Sequence, residues 1–380
     1  MSRRGRGEGS IWQRQDGRWE ARVDLGYLEG RRRRKALYGA TQREVREKLT
    51  QTLRDKELGV LRTGPTQTIE QFLETWLISC VGSIRPKTAR TYEQLVRVHL
   101  VPGLGRYRLD RLSPEHVSAF LNSKLRQGLS PQTVAHLRSV LRTALNRAAR
   151  WGLVGRNVAA LTDPPHVRRH EYRVLDQAGA RRFLDAVSNH RLQALFTVAV
   201  ALGLRQGEAL GLRWEDVDLD RRELRVTVAL QRIDGELVLV EPKTMRSRRT
   251  IRLPAAVAAA LREHRSRQVQ ERLLAGSEWR DHGLVFTTRL GEPLDGTAVT
   301  KDFQRCLAAA GLQKMRFHEL RHSAASLMLA QGLPLRTVME VLGHSTITLT
   351  ANTYSHLLPS LMEEAADAID RALGSAESGA

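Results

Sequence analysis

Four short stretches of this 380-residue chain carry side chains suited to work on a phosphate. In Gly203-Leu204-Arg205-Gln206-Gly207-Glu208, an apolar helical run from Leu195 ends at a glycine-flanked arginine. An arginine at such a junction can be held rigidly, and Glu208, opening the next helical stretch, could orient it. Taken alone, a surface arginine fits that pattern better. In Glu241-Pro242-Lys243-Thr244, Lys243 sits at the tip of an expected hairpin, followed by a basic turn from Met245 to Arg249. It could reach into a cleft or simply keep the turn soluble. In His318-Glu319-Leu320-Arg321-His322, His318 and Arg321 share one helix face at i and i+3 and together could bind one phosphate. The same five residues fit His-Glu-x-x-His, in which His318 and His322 would bind zinc and Glu319 would activate water. A metzincin-type continuation is missing, because Ser323-Ala324-Ala325-Ser326 follows; a distant carboxylate such as Glu340 stays open as a third ligand. The last stretch holds Leu342-Gly343-His344 and then Asn352-Thr353-Tyr354-Ser355-His356. Tyr354 lies in a polar segment between apolar runs, a place where most tyrosines are structural.

The elements that must position these residues read as an α+β domain over 172–375. Helices are expected at 177–188 and 191–204, and strands at 223–230, 236–241 and 248–253. Asp234-Gly235 is the turn between the first two strands. The strands cluster instead of alternating with helices, which argues against a doubly wound sheet. Upstream, residues 66–160 read as an all-α domain. Ser113-Pro114 and Ser130-Pro131 each set an N-cap serine before a first-turn proline. The helix after Pro131 has an apolar side at Val134, Leu137, Val140, Leu141 and Leu145, with Arg138, Arg142 and Arg147 opposite; Arg90 lies on an earlier helix that starts near Pro86. Residues 1–64 read as a small sheet packed on one helix. Ser10-Ile11-Trp12 and Trp19 to Val23 are strands joined at Asp16-Gly17, and a third strand follows the basic run Arg31, Arg32, Arg33, Arg34, Lys35. Thr41 caps a helix that ends near Leu58. Residues 161–171, with Asp163-Pro164-Pro165, are a stiff linker.

Charge narrows the partners. Lys and Arg number 61 against 41 Asp and Glu, a net charge of +20. Such a chain is drawn to polyanions, nucleic acid first. Aromatic residues are only 5%, so stacking on bases does not dominate. Cys80 and Cys306 match no metal or redox spacing. There is no long apolar stretch for a membrane span and no secretory signal, so the expected location is cytoplasmic.

Together the four stretches are far more specific than apart. The order Arg205, Lys243, His318-x-x-Arg321, Gly343-His344, Tyr354 resembles the tyrosine recombinases, the family of the phage integrases. The resemblance covers the last domain nearly end to end, with no departure at a catalytic position. Less specifically, residues 66–160 are similar to the family's core-site-binding domain, and residues 1–64 to the arm-site-binding sheet domain of larger integrases. It implies a multidomain, mainly α fold with an α+β catalytic domain. It further implies that Tyr354 attacks a DNA phosphate to give a 3′-phosphotyrosine and a free 5′-hydroxyl. Arg205 and Arg321 would grip the non-bridging oxygens, with Glu208 in support. His318 would take or relay the phenol proton, Lys243 would protonate the leaving oxygen, and His344 would donate a hydrogen bond to the phosphate. The scheme needs no metal or other cofactor. The expected partners are double-stranded DNA and three further copies in a tetramer on paired sites, with a directionality factor or DNA-bending protein as candidates; an integrated mobile element is the expected source. An apolar stripe, Leu358, Leu361, Met362, Ala365, Ile369 and Leu373, would form a C-terminal helix docking on its own domain or on a neighbour. A type IB topoisomerase would use similar chemistry, but two N-terminal DNA-binding modules favour recombination. A non-catalytic DNA-binding protein of the same fold and a zinc protease are the other readings.

Overall fold

The computed structural model describes residues 10–28, 31–57, 67–167, 172–241, 248–343 and 370, with the backbone alone at 25–28, 31–33 and 55–57. The chain divides into two compact units, Met1–Arg169 and His170–Ala380.

The first unit opens with an antiparallel sheet of β1 (Ser10–Gln13), β2 (Trp19–Leu28) and β3 (Arg31–Gly39), in that order. Ala21 and Val23 alternate onto one face of β2 and bury against Val45 and Leu49, one turn apart on α1 (Gln42–Glu57). Thr41 caps that helix, its hydroxyl accepting from the Glu44 N–H at 3.2 Å, while Glu44 reaches back to the Ala40 N–H at 2.9 Å. The basic run lies inside β3, not before it: Arg31, Arg32 and Arg33 pair with Leu28, Tyr27 and Gly26. Arginine is tolerated there because β3 is an edge strand, where charge discourages further pairing.

A helical core follows. It consists of α2 (Ile69–Cys80), α3 (Pro86–Leu95) continuing through a wide turn at Val96–Leu100 into α4 (Val101–Leu104), then α5 (Pro114–Arg126) and α6 (Pro131–Arg150). Ser113 and Ser130 are the N-caps of α5 and α6, each before a proline that lacks the N–H a cap would have to satisfy. The apolar side of α6, including Val134, Leu137, Leu141 and Leu145, buries against Ile69, Phe72, Leu73 and Trp76 of α2. Burial of each such side chain stabilises by roughly 1.5–3 kcal/mol. Arg138, expected on the outer basic face, turns inward instead: its Nε donates to the Thr162 carbonyl and hydroxyl at 3.0 and 3.1 Å. Arg90 and Arg142 are exposed.

The second unit runs α7 (Gln177–Ala186), α8 (Gln193–Leu202), α9 (Gln206–Leu210), then β4 (Val217–Asp218), β5 (Glu223–Val226), β6 (Ala229–Ile233), β7 (Glu236–Val240) and β8 (Arg249–Arg252). Among the described residues four further helices follow: α10 (Ala255–Ala275), α11 (Gly296–Ala309), α12 (Glu319–Ala330) and α13 (Leu335–Leu342). It is the expected α+β arrangement, with α8 buried on all sides at its centre. One expected strand, 223–230, is two: β5 joins β4 and β8 in one sheet, while β6 pairs with β7 in a hairpin. The break falls where the Thr227 hydroxyl donates to the buried carboxylate of Asp216 at 2.7 Å. Beyond it, α9 lies so close to β6 that a Cβ on Gly207 would come within 2.7 Å of the Leu230 carbonyl. Asp234 and Gly235 turn the hairpin at φ +51° and +92°, as the Asp-Gly pair predicts.

Candidate active site

The site grows from the end of α8. Gly203 terminates this helix at φ +61°, and a Cβ there would sit 2.5 Å from Leu342 Cδ2 and 3.0 Å from the Ala324 Cβ. Only glycine allows both the left-handed turn and the close approach of α12 and α13. The Gly203 carbonyl then points at α12 and accepts from Arg321 Nη1 at 2.9 Å. A guanidinium at the carbonyl end of a helix also meets the negative pole of its dipole. Arg321 is only 2% exposed, so this bond fixes a charge the protein has removed from water.

Arg205 follows two residues later, at the start of α9. Its Nη1 donates to Glu208 Oε1 at 2.6 Å, its backbone N–H donates to Oε2 at 3.1 Å, and its Nη2 reaches the Gly343 carbonyl at 3.3 Å. Gly343 ends α13 at φ +68°, so Arg205 and Arg321 are each tied to the carbonyl of a helix-terminating glycine. The Arg205 side chain remains 40% exposed, open to a ligand. Burial alone would push the Glu208 carboxyl up, but Arg249 and then Arg205 outweigh it and hold the group below the usual carboxylate range.

His318 begins α12 beside this pair. Loss of surrounding water, and then the charges of Arg321 and Arg205, pull its pKa below the ordinary histidine value. A neutral imidazole at pH 7 can accept a proton. Its ring stands edge-on to His322, with centroids 5.4 Å apart. His322 itself is buried against the Tyr172 ring, and its pKa falls to about 4, through desolvation first and the neighbouring His318 next. Glu319 accepts from the backbone N–H of Arg316 at 2.5 Å and lies 3.5 Å from that of Arg173. Ser323 accepts from the Leu175 N–H at 2.8 Å, so the strap 172–175 is sewn across the start of α12. Glu319 therefore serves as a fastening for backbone, which leaves a zinc-protease reading without its general base.

Of the predicted set, the structure brings together Arg205, Glu208, His318 and Arg321. Lys243, His344 and Tyr354, and the apolar stripe from Leu358 to Leu373, lie outside the described residues. Arg34 is exposed; the side chains of Arg31, Arg32 and Arg33 are likewise outside what is described. The sequence reading places Arg249 only at the end of the basic stretch that follows Lys243. In fact its side chain is 7% exposed and bonded to Glu208. Strand phase carried the signal: Arg249 is two residues from buried Ile251, so both share the inward face of β8. The elements thus assemble two fixed guanidiniums, one reachable from solvent, and a neutral imidazole.

Comparison with known proteins points to one family. Residues 173–360 match the phage integrase family, and residues 68–125 match the phage integrase N-terminal SAM-like domain. The tyrosine recombinase XerC-like protein of Caldanaerobacter subterraneus subsp. tengcongensis is 32% identical over 373 residues, spanning 92% of this chain and 94% of that protein. Among solved structures, the Tn1549 transposon integrase in complex with transposon right end DNA superposes with a TM-score of 0.69 at 21% identity. That match covers 79% of this chain and 100% of the other. The lambda integrase tetramer bound to a Holliday junction gives 0.58 at 19% identity, over 90% and 94%. With its motifs, its fold and a full-length relative in agreement, the chain belongs to the phage integrase family of tyrosine recombinases.

Proposed function

We propose that this enzyme, a site-specific DNA recombinase, cleaves and rejoins duplex DNA with Tyr354 as its nucleophile, serving to integrate or excise a mobile element. The observation that carries the reading is the pair of guanidiniums, Arg205 and Arg321, each tied to a helix-end glycine carbonyl with His318 beside them. Such preorganised charge stabilises a phosphorane-like transition state without reorganising during the reaction.

In this scheme the scissile phosphate rests against Arg205 and Arg321. The Tyr354 oxygen forms a bond to phosphorus and the bond to the 5′ oxygen breaks. His318 takes the phenol proton, Lys243 delivers a proton to the departing 5′ oxygen, and His344 donates a hydrogen bond to the phosphate. A free tyrosine ionises near pH 10, so fixed positive charge is what makes the phenolate accessible at neutral pH. The phosphotyrosine ester keeps the energy of the broken linkage, and a 5′-hydroxyl from a second duplex reverses the step and reseals the strand. Exchange of four strands calls for a tetramer on two sites, as in the lambda integrase assembly on a Holliday junction. The stripe from Leu358 to Leu373 is the segment suited to hold neighbouring copies together, and a directionality factor or DNA-bending protein would set the sense of the reaction. No described helix is long and apolar enough to cross a membrane, in keeping with a cytoplasmic site of action.

The test is trapping of the covalent intermediate on nicked duplexes drawn from the DNA flanking the gene, in EDTA. The wild-type chain should yield a protein–DNA adduct on a denaturing gel. Tyr354→Phe should yield none while shifting the same duplex equally. An adduct that survives in Tyr354→Phe would assign the nucleophile elsewhere. Specific binding with no wild-type adduct would favour a non-catalytic DNA-binding role.

A further inference from the structure

We propose that Arg249 is a positioning residue for strand cleavage, keeping net positive charge on the Arg205–Glu208 pair while fixing the end of α13. This inference rests on the phosphate-binding role of Arg205 proposed above. Arg249 opens β8, opposite Val226, with its side chain directed inward. Nη2 donates to Glu208 Oε2 at 2.9 Å, and Nε donates to the Val341 carbonyl at 2.6 Å. The guanidinium thus joins three elements: strand β8, the helix start that carries Arg205, and the helix end that precedes His344 in the chain.

The charge balance gives this contact a chemical consequence. Glu208 is a single buried carboxylate. Paired with Arg205 alone, it would cancel the charge that must attract a phosphate. Two guanidiniums on one carboxylate leave one net positive charge, and Arg205 is the partner that reaches solvent, at 40% exposure against 7% for Arg249. Arg249 therefore neutralises Glu208 from inside, and Arg205 offers its charge outward with its geometry still set by the same carboxylate. The second attachment acts on position. A Cβ at residue 343 would lie 2.9 Å from Arg249 Nη1, so the guanidinium occupies the space that Gly343 leaves open. The Gly343 carbonyl is also the acceptor for Arg205 Nη2. Arg249 thereby acts on Arg205 by two routes, through Glu208 and through the end of α13. Lysine could keep the charge but not both directed bonds.

The experiment uses the full-length chain and the nicked duplex on which the wild type forms its adduct. Single-turnover cleavage is measured for Arg249→Gln, Arg249→Lys, Arg205→Lys and Arg205→Lys/Arg249→Gln, with melting temperature and gel shift alongside. Arg249→Gln should cleave roughly 100-fold more slowly while still shifting the duplex. Arg249→Lys should recover to within about tenfold of wild type, because it restores the charge. In the Arg205→Lys background, Arg249→Gln should cost about threefold or less, since the two act as one unit. Cleavage by Arg249→Gln within twofold of wild type would overturn the proposal, as would Arg249→Lys as slow as Arg249→Gln, or losses at Arg205 and Arg249 that multiply. If Arg249→Gln does not fold, the coupling is read from Arg249→Lys with and without Arg205→Lys, and additive losses there would equally reject it. Absence of a wild-type adduct would instead count against the proposed function itself.

Discussion

Arginines dominate both units of this chain, yet they are held in opposite ways. On the first unit several make local, solvent-facing contacts, although Arg138 turns inward to Thr162. Arg43 pairs with Glu47 and Arg97 with Glu93, each one helical turn away, with the arginines 90% and 73% exposed. In the second unit, Arg205, Arg249 and Arg321 bond partners 138, 92 and 118 residues distant, around one buried carboxylate and the ends of two helices. Exposed pairs of the first kind are screened by water and contribute little. Pairs of the second kind have exchanged hydration for fixed partners, so loss of one partner leaves a charge stranded. The residue type is shared; what differs is whether the fold replaces the water.

The sharpest way to break this contrast is to remove the shared carboxylate. Glu208→Ala should destabilise the second unit by about 3–5 kcal/mol, because Arg249 stays buried without its counter-charge. Denaturant unfolding would measure this, and a loss below about 1 kcal/mol would show that water reaches Arg249 after all. A comparable but pH-gated effect is expected at His322. Its folded pKa of about 4 lies below the ordinary 6.5, so the unfolded chain binds a proton first as pH falls. Stability is therefore intact above pH 6.5, declines between 6.5 and 4, and is fully reduced below that, by about 3 kcal/mol. Melting temperature followed from pH 7.5 to 4 should show this loss in the wild type and a shallower one in His322→Asn. Equal slopes would place the acid sensitivity at other groups. The smallest effect belongs to the first unit: Arg97→Ala should leave the melting temperature within about 2 °C of wild type.

Much of the fold was legible because its cues are local. Thr41, Ser113 and Ser130 announce helix starts, Asp234-Gly235 announces a hairpin, and the spacing of Val134, Leu137, Leu141 and Leu145 announces a buried helix face. Each depends on residues within a few positions, where backbone geometry alone decides which side chains meet. Two misjudged places are those where a distant contact overrides a local pattern. The stretch 223–230 has strand character throughout, but Asp216 and the close approach of α9 split it. Arg138 has an outward helical phase, but its long side chain bends back to Thr162.

The site divides in the same way. Taken singly, Arg205, Glu208, His318 and Arg321 do not stand out; their order along the chain, through the resemblance to the tyrosine recombinases, nominates them, because chemistry requires a particular set of functional groups together. Which of them are buried, what fixes them and how their charges sum could not be read so. One carboxylate shared by Arg205 and Arg249, and two glycine carbonyls that anchor Arg205 and Arg321, exist only once helices and a strand distant in sequence are packed together. Coulomb energy depends on separation and on the water between charges, and tertiary packing sets both.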